Sequence, residues 1–529
     1  MNGWLRPLRR ARLRIACAIT CTLLPLLAAT PANAASDAQS CVSQLVFDPT
    51  SGGFLPVNNF GTEQAFLNCF GWQLFIAMNW PVNPGWPANP SLAGEPDTQS
   101  SAAQFGVPPT PGQPMSNAPV WASYKDASEI FLPGAAKPSG WGVETLVPSN
   151  CTATGNLKAF ATGARKFITA TSESAINRKH RFHLSSGTQV TLPDSIMEAS
   201  GGWLTDQSGN LVFFERKVGK AEFDYIVDNG LYDAANQLIV AQNSDNRHPA
   251  GLSLPAGKPV RELPAKALPQ EELGALELKA AWRVLTNKPD LYGRYLTTVA
   301  WLQRPDTLQC TQEVIGLVGL HIINKTQTQP NFIWTTFEQI DNVPDGGAAP
   351  PQGYSFNNPE CTGDACAPNV ARVQCDATHT PPDCTPLDQP VQATRLNATP
   401  QDMQALNTAV QQTFAQQTQG QSVFQYYKLV NVLWSKTPNA PNDPGPGPNV
   451  KVPLSYGPFV SDQSVVVANT TMETYVQTDN CNDCHQYAAI AGKSGLASDF
   501  SFLFGNADSA KNTRLIKRIE SFKTLKDNP

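Results

Sequence analysis

Apolar and polar positions in the 529-residue chain change rhythm several times. Between about residues 185 and 345 the rhythm is that of strands. "GNLVFFERKV" and "AEFDYIVDNGLYD" carry β-branched and aromatic residues between Gly and Asp punctuation. In "LELKAAWRVL", Leu276, Leu278, Ala280 and Trp282 alternate with Glu277, Lys279, Ala281 and Arg283. That is the period of a half-buried strand. "RYLTTVAWLQ", "EVIGLVGLHIINKT" and "NFIWTTFEQIDNVP" continue the series, and the last two, separated by "QTQP", read as a hairpin. Few helical stretches interleave, so the pattern predicts an antiparallel sheet or sandwich instead of a parallel α/β sheet.

Helical rhythm is confined to a few segments. "GWQLFIAMNWPVNPGWP" begins with an apolar run that Pro81 and Pro84 end, which predicts a short buried helix opening onto an aromatic loop. "TPQDMQALNTAVQQTFAQQT" spaces Leu406, Val410 and Phe414 four apart, an amphipathic helix. A strand is expected in "SVFQYYKLVNVLW" and a helix in "NTTMETYVQ". A final amphipathic helix is expected in "NTRLIKRIESFKTL", with Leu515, Ile516, Ile519, Phe522 and Leu525 on one side. "PNAPNDPGPGPNVKVP" has the composition of a linker.

The N-terminus changes the picture by compartment. Met1 to Arg14 holds five arginines and no acid, "IACAITCTLLPLLAA" is apolar, and "ANA" at Ala32 to Ala34 offers a cleavage site. This is the three-part pattern of a secretory signal peptide, and its apolar run is short for a membrane span. Thr20 before Cys21 is a poor lipobox residue. The expected layout is therefore a signal peptide at 1–34, a β-rich body at 35–436, a linker at 437–456 and a C-terminal segment at 457–529. The body contains a Cys- and Pro-rich insertion at about 345–400. No later stretch is long and apolar enough to cross a membrane.

Composition narrows the function classes. A net charge of −5, spread along the chain, gives no basic face for nucleic acid or anionic lipid. Forty-five prolines against 38 lysines and arginines argue against a helical bundle. There is no internal repeat, no glycine-rich dinucleotide fingerprint and no phosphate loop. Of 12 cysteines, two lie in the leader. Cys41, Cys69, Cys151, Cys310, Cys361, Cys366, Cys375 and Cys384 are an even set in an exported chain, which predicts disulfides without fixing their pairing. Cys361 to Cys384 reads as a loop stapled on itself, with a zinc site as the alternative.

The remaining two cysteines carry the chemistry. "NCNDCHQYAAIAG" contains Cys481, Cys484 and His485 as Cys-x-x-Cys-His. Residues three and four apart share a helix face, so two sulfurs reach two vinyl groups of one porphyrin while the imidazole meets its iron. The cofactor expected is one covalent haem c, with His485 as proximal iron ligand. Asp479 or Asn480 could cap the helix and Gly492 suits its end. No Met or His follows His485, so any distal ligand of these types lies upstream. Met472 and His321 are the candidates, each also readable as a core residue. His180, His183 and His248 lie in polar stretches, and His379 is in the Cys-rich loop. Phe500, Phe502 and Phe504 alternate in "SDFSFLFGNA", as haem wall or ordinary core.

At this motif the chain resembles bacterial c-type cytochromes. More loosely it is similar to exported proteobacterial cytochrome c family proteins in "WQLFIAMNWP", "GLVGLHI", "WTTFEQIDNVP", "NTTMETY" and the late Cys-x-x-Cys-His. The patterns together predict an α+β fold, a large antiparallel β-rich body with a small C-terminal helical cytochrome c-like haem segment. That segment is short for a self-sufficient haem domain, so the body is expected to complete the pocket, and the resemblance implies a single unit instead of an enzyme with a cytochrome attached. Two functions follow as expectations. One is periplasmic electron transfer with a redox partner protein. The other is a haem-dependent oxidoreductase binding a small-molecule substrate, with His321, Trp334, Glu338 and Trp282 as pocket candidates. Trp282 and Trp334 also suit the core, and Glu338 also suits an ion pair with Arg283 or Lys279. A haem-based sensor is disfavoured, because no output domain is visible.

Overall fold

The computed structural model describes residues 32–56, 63–143, 166–169, 182–183, 189–190, 203–242, 251–257, 266, 269–303, 310–376, 383–387, 389–435, 459–460, 466–485, 488–492 and 496–510. The expected leader before residue 32, the expected linker at 437–456 and the expected final helix lie outside them. His180, His248, His379 and Cys151 do so too.

The helices are α1 (Ala32–Val42), α2 (Gln64–Asn79), α3 (Ala127–Ile130), α4 (Lys220–Asp228), α5 (Ala234–Gln242), α6 (Gln401–Gln417) and α7 (Cys481–His485). The strands are β1 (Lys125–Asp126), β2 (Lys166–Thr169), β3 (Phe182–His183), β4 (Gln189–Val190), β5 (Phe213–Val218), β6 (Leu276–Val284) and β7 (Thr297–Gln303). They continue with β8 (Cys310–Asn324), β9 (Ile333–Gln339), β10 (Val373–Asp376), β11 (Asp383–Pro386), β12 (Tyr427–Ser435) and β13 (Phe459–Val460).

Among the described residues, nine strands form one sheet along the path β1-β5-β6-β8-β9-β12-β13, with β7 on β8 and β2 on β7. Every pairing is antiparallel except β2 with β7. The fold is α+β with a β-rich body, and the β8–β9 hairpin stands where the sequence placed it.

Both faces of this sheet are covered. Strand β6 is buried along nearly its whole length, so its charged positions are not a solvent face as the alternation predicted. On one face lies α2, largely apolar and buried on most sides because it sits in the core. Trp72 and Phe75 pack on Phe337 of β9, and Trp72 also meets Phe414 of α6. The helix can approach this closely because of Gly71, where an added Cβ would stand 2.9 Å from Thr335 Cγ2. A disulfide from Cys41 to Cys69 ties α1 to α2.

The opposite face receives the C-terminal segment. Ile490, Leu496, Phe500 and Phe504 form one apolar cluster with Phe223 and Ile226 of α4, Ile323 of β8 and Trp334 of β9. The segment is built into the body's core. Within its described part, only α7 and a 3-10 turn at Phe502–Asn506 are helical.

Three expectations are corrected here. "AEFDYIVDNGLYD" is largely α4: Phe223 and Ile226 are three apart and bury one helix side, together with Glu222. "NTTMETYVQ" is a series of turns. Asn469 Oδ1 takes the Thr471 backbone N–H and the Thr471 hydroxyl, and these local bonds compete with a helix. The zinc alternative fails because Cys361 is disulfide-bonded to Cys366. In the β10–β11 hairpin Cys375 stands opposite Cys384, so the insertion closes on itself as expected.

Candidate haem site

Strand register builds one wall of the site. Directly opposed residues share a sheet face. The register sets Arg216 against Lys279, Lys279 against His321 and His321 against Thr336. The next row is Val218, Glu277, Ile323 and Trp334. Thus a row of basic groups and a row holding one acid and one tryptophan face the C-terminal segment.

That segment is anchored before it supplies the other wall. Asn469 Nδ2 donates to Thr336 Oγ1 and to the Phe337 carbonyl, both at 2.9 Å. The Thr470 N–H donates to Glu338 Oε1 at 2.5 Å. Asn480 Oδ1 accepts from the Val467 N–H at 2.7 Å, fixing the entry to α7. Between the walls lies a cavity of about 160 Å³, lined by Cys481, Cys484, His485, Met472, His321, Trp334 and Arg216 among others.

The motif residues converge in it. Cys481 and Cys484 are half-buried thiols. His485 donates from Nδ1 to the Phe500 carbonyl oxygen at 2.7 Å. This fixes the tautomer and leaves Nε2 as the nitrogen able to take a metal, the arrangement that metal-ligating histidines use. The ring sits 4.7 Å from Trp334 and 5.0 Å from Phe502, centroid to centroid. Burial pushes its pKa down to about 4, so the imidazole is neutral at ordinary pH and able to coordinate.

Both distal candidates reach the same cavity. His321 is half-buried, with Nε2 on Glu473 Oε1 at 3.1 Å. Burial works to raise the Glu473 pKa, but His321, Lys279 and the Asn469 N–H together outweigh it and the carboxyl lies below its usual value. Met472 is buried between the cavity and the core around Phe214 and Ala281.

Other expected site residues are placed differently. Phe502 lines the cavity and Phe504 is core. Phe500 contributes its backbone carbonyl to His485, while its ring packs on Trp334. Trp282 lies on the opposite sheet face and donates to Glu215 Oε2 at 3.1 Å, so it is outside this cavity. Glu338 is also outside. It pairs with Arg395, while Arg283, one of its two expected partners beside Lys279, pairs with Asp206. His183 is on β3, which pairs with β4 in a separate two-stranded sheet.

Three charged groups were not anticipated. The half-buried Arg216 side chain lines the cavity. Burial lowers its pKa, opposed by the charges of Asp126 and Glu277. Glu277 lines the cavity with Oε1 buried and unpartnered, and neither oxygen of buried Glu222 meets a donor. Burial first, then Glu277, holds the Glu222 carboxyl well above its ordinary pKa. The sequence signal was present: consecutive charges in "FFERKV", inside a strand that must bury both faces.

This set fits a haem. Two thiols and a neutral, oriented imidazole meet in one cavity whose opposite wall offers a thioether and a second imidazole. A half-buried guanidinium lines the same cavity, and a porphyrin carries carboxylates. No family model, no curated protein and no solved structure matches the chain.

Proposed function

We propose that this protein is an exported, periplasmic c-type cytochrome that carries one covalent haem and transfers electrons to or from a partner protein. One observation carries the reading: Cys481, Cys484 and His485 open into a cavity that the body completes, with His485 Nδ1 already committed to Phe500. When bound, haem supplies a one-electron iron couple.

The chain's own residues do the rest. Cys481 and Cys484 hold the group, His485 presents Nε2, Trp334 and Phe502 exclude water, and Arg216 balances negative charge. His321 or Met472 closes the distal side. Export is supported by the N-terminal leader pattern and by the Cys41–Cys69 and Cys361–Cys366 disulfides, which persist in oxidising compartments.

The second reading is a haem-dependent oxidoreductase with an open distal side. One contact favours it: the Nε2 of His321 is engaged by Glu473, so this residue would coordinate only through Nδ1. Visible spectra of the purified holoprotein, with and without carbon monoxide, separate the two. The carrier gives low-spin bands that carbon monoxide leaves unchanged. High-spin ferric bands and a carbon monoxide adduct would replace it with the oxidoreductase.

A further inference from the structure

The β6 wall of the haem cavity carries a pair of acids. Glu277 of β6 lines the cavity, and Glu222 of α4 hydrogen-bonds to it, carboxyl to carboxyl. Glu222 sits in the first turn of α4, on the side that also buries Phe223 and Ile226. Its relative exposure is 0%, and that of Glu277 is 8%. Both oxygens of Glu222 and Oε1 of Glu277 are buried without a donor. An ionised carboxylate only accepts, so a hydrogen bond between two carboxyls needs a proton on one of them. Two carboxylates in one buried site resist ionising together. The geometry therefore demands a bound proton beside the cavity that His485 lines.

Neighbouring groups keep that proton exchangeable. Arg216 of β5 and the Ser501 hydroxyl favour ionised Glu277, and Lys325, which follows β8, favours ionised Glu222. Burial opposes ionisation of both, and so does Asp499 of the C-terminal segment, itself ion-paired to Lys325. Tyr225 stands near Glu222 on α4. Lys279, His321, Glu473 and Asp479 share the cavity wall. A coupled pair of this kind takes its protons in two separate steps. A unit charge gained about 10 Å away, at an effective dielectric of about 20, changes a proton affinity roughly tenfold.

We propose, on the haem reading above, that the Glu222–Glu277 pair takes up a proton from solvent when the haem iron is reduced, so that the chain carries an electron and a proton together. The partner protein supplies the electron, which takes the iron from ferric to ferrous. One carboxylate oxygen of the pair gains an O–H bond, and no group but the iron and the partner's own centre changes oxidation state.

Redox titration of the holoprotein between about pH 5 and pH 9 tests this, a range that covers the raised values buried carboxyls reach. Protons enter on reduction, so the midpoint potential should fall as pH rises. The slope should approach about 59 mV per pH unit, the one-electron equivalent of a tenfold change. The Glu222→Gln, Glu277→Gln double variant should lose most of that slope. If it fails to fold, Glu222→Gln alone should move the sloping region to lower pH, because Glu277 then has no like charge beside it. A wild-type potential that does not vary with pH, a slope retained in full by the folded double variant, or a sloping region unmoved by Glu222→Gln would each overturn the proposal and leave the haem in place. A chain that carries no haem would overturn both.

Discussion

The Nδ1–H of His485 meets the carbonyl oxygen of Phe500 at 2.7 Å, and that carbonyl belongs to a residue with φ of +70°. A non-glycine residue with positive φ is held there by its surroundings. Here the surroundings are Trp334, Phe504 and the strand ends beneath them.

The two partners in this contact should respond differently to substitution. Phe500→Ala removes a buried ring and should cost about 3–5 kcal/mol in denaturant unfolding while Cys481 and Cys484 still take haem. His485→Ala should cost much less stability but alter the haem spectrum. Equal stability losses in both would show that the contact is structural only.

The seating of the C-terminal segment depends on Gly319 in β8. An added Cβ there would run into Thr471 Oγ1 and stand 3.1 Å from Asn469 Oδ1. Gly319→Ala should therefore destabilise the protein by about 1–3 kcal/mol, the usual penalty for overpacking. It should also loosen the Asn469 bonds to β9, detectable as faster hydrogen exchange in residues 466–480.

The acid pair Glu222 and Glu277 gives stability a definite pH dependence. Both carboxyls are raised above the ordinary value of 4.5, chiefly by burial. A raised folded-state pKa means the folded state holds the proton more tightly than the unfolded chain. The contribution is therefore fully present below about pH 4.5 and lost as pH rises through the folded values. Arg216, Lys325 and Asp499 act on the same pair. Glu222→Gln should raise stability at pH 7 by about 1–3 kcal/mol and flatten the decline above pH 4.5. An unchanged pH profile would count against a shared buried proton.

Arg216 should tune the haem. Its positive charge disfavours the ferric state, so Arg216→Met should lower the midpoint potential. A fall of up to about 59 mV would be a tenfold change in the one-electron equilibrium. Redox titration checks the sign, and a rise would place the guanidinium away from the haem.

Much of this was legible in the sequence, for reasons particular residues make plain. The strands β5 to β9 and β12 declared themselves through β-branched and aromatic runs, and α6 through Leu406, Val410 and Phe414. The Cys-x-x-Cys-His spacing was local and could be seen without the fold. Segment α4 was misread because its aromatic and β-branched content outweighed the three-residue spacing of Phe223 and Ile226. Glu338 and Trp282 were misplaced because side-chain partners such as Arg395 and Glu215 are set by sheet register, which the local pattern leaves open. The importance of Arg216 and Glu277 was hidden for the same reason. A charged residue in an alternating strand looks solvent-facing until something is known to cover that face.

The central claim is covalent haem on Cys481 and Cys484. Intact-mass measurement under denaturing conditions, on protein exported from cells able to attach c-type haem, tests it most directly. One haem per chain is predicted, lost in the Cys481→Ala, Cys484→Ala protein. Wild-type protein of unmodified mass, or a double variant that still carries covalent haem, would contradict it.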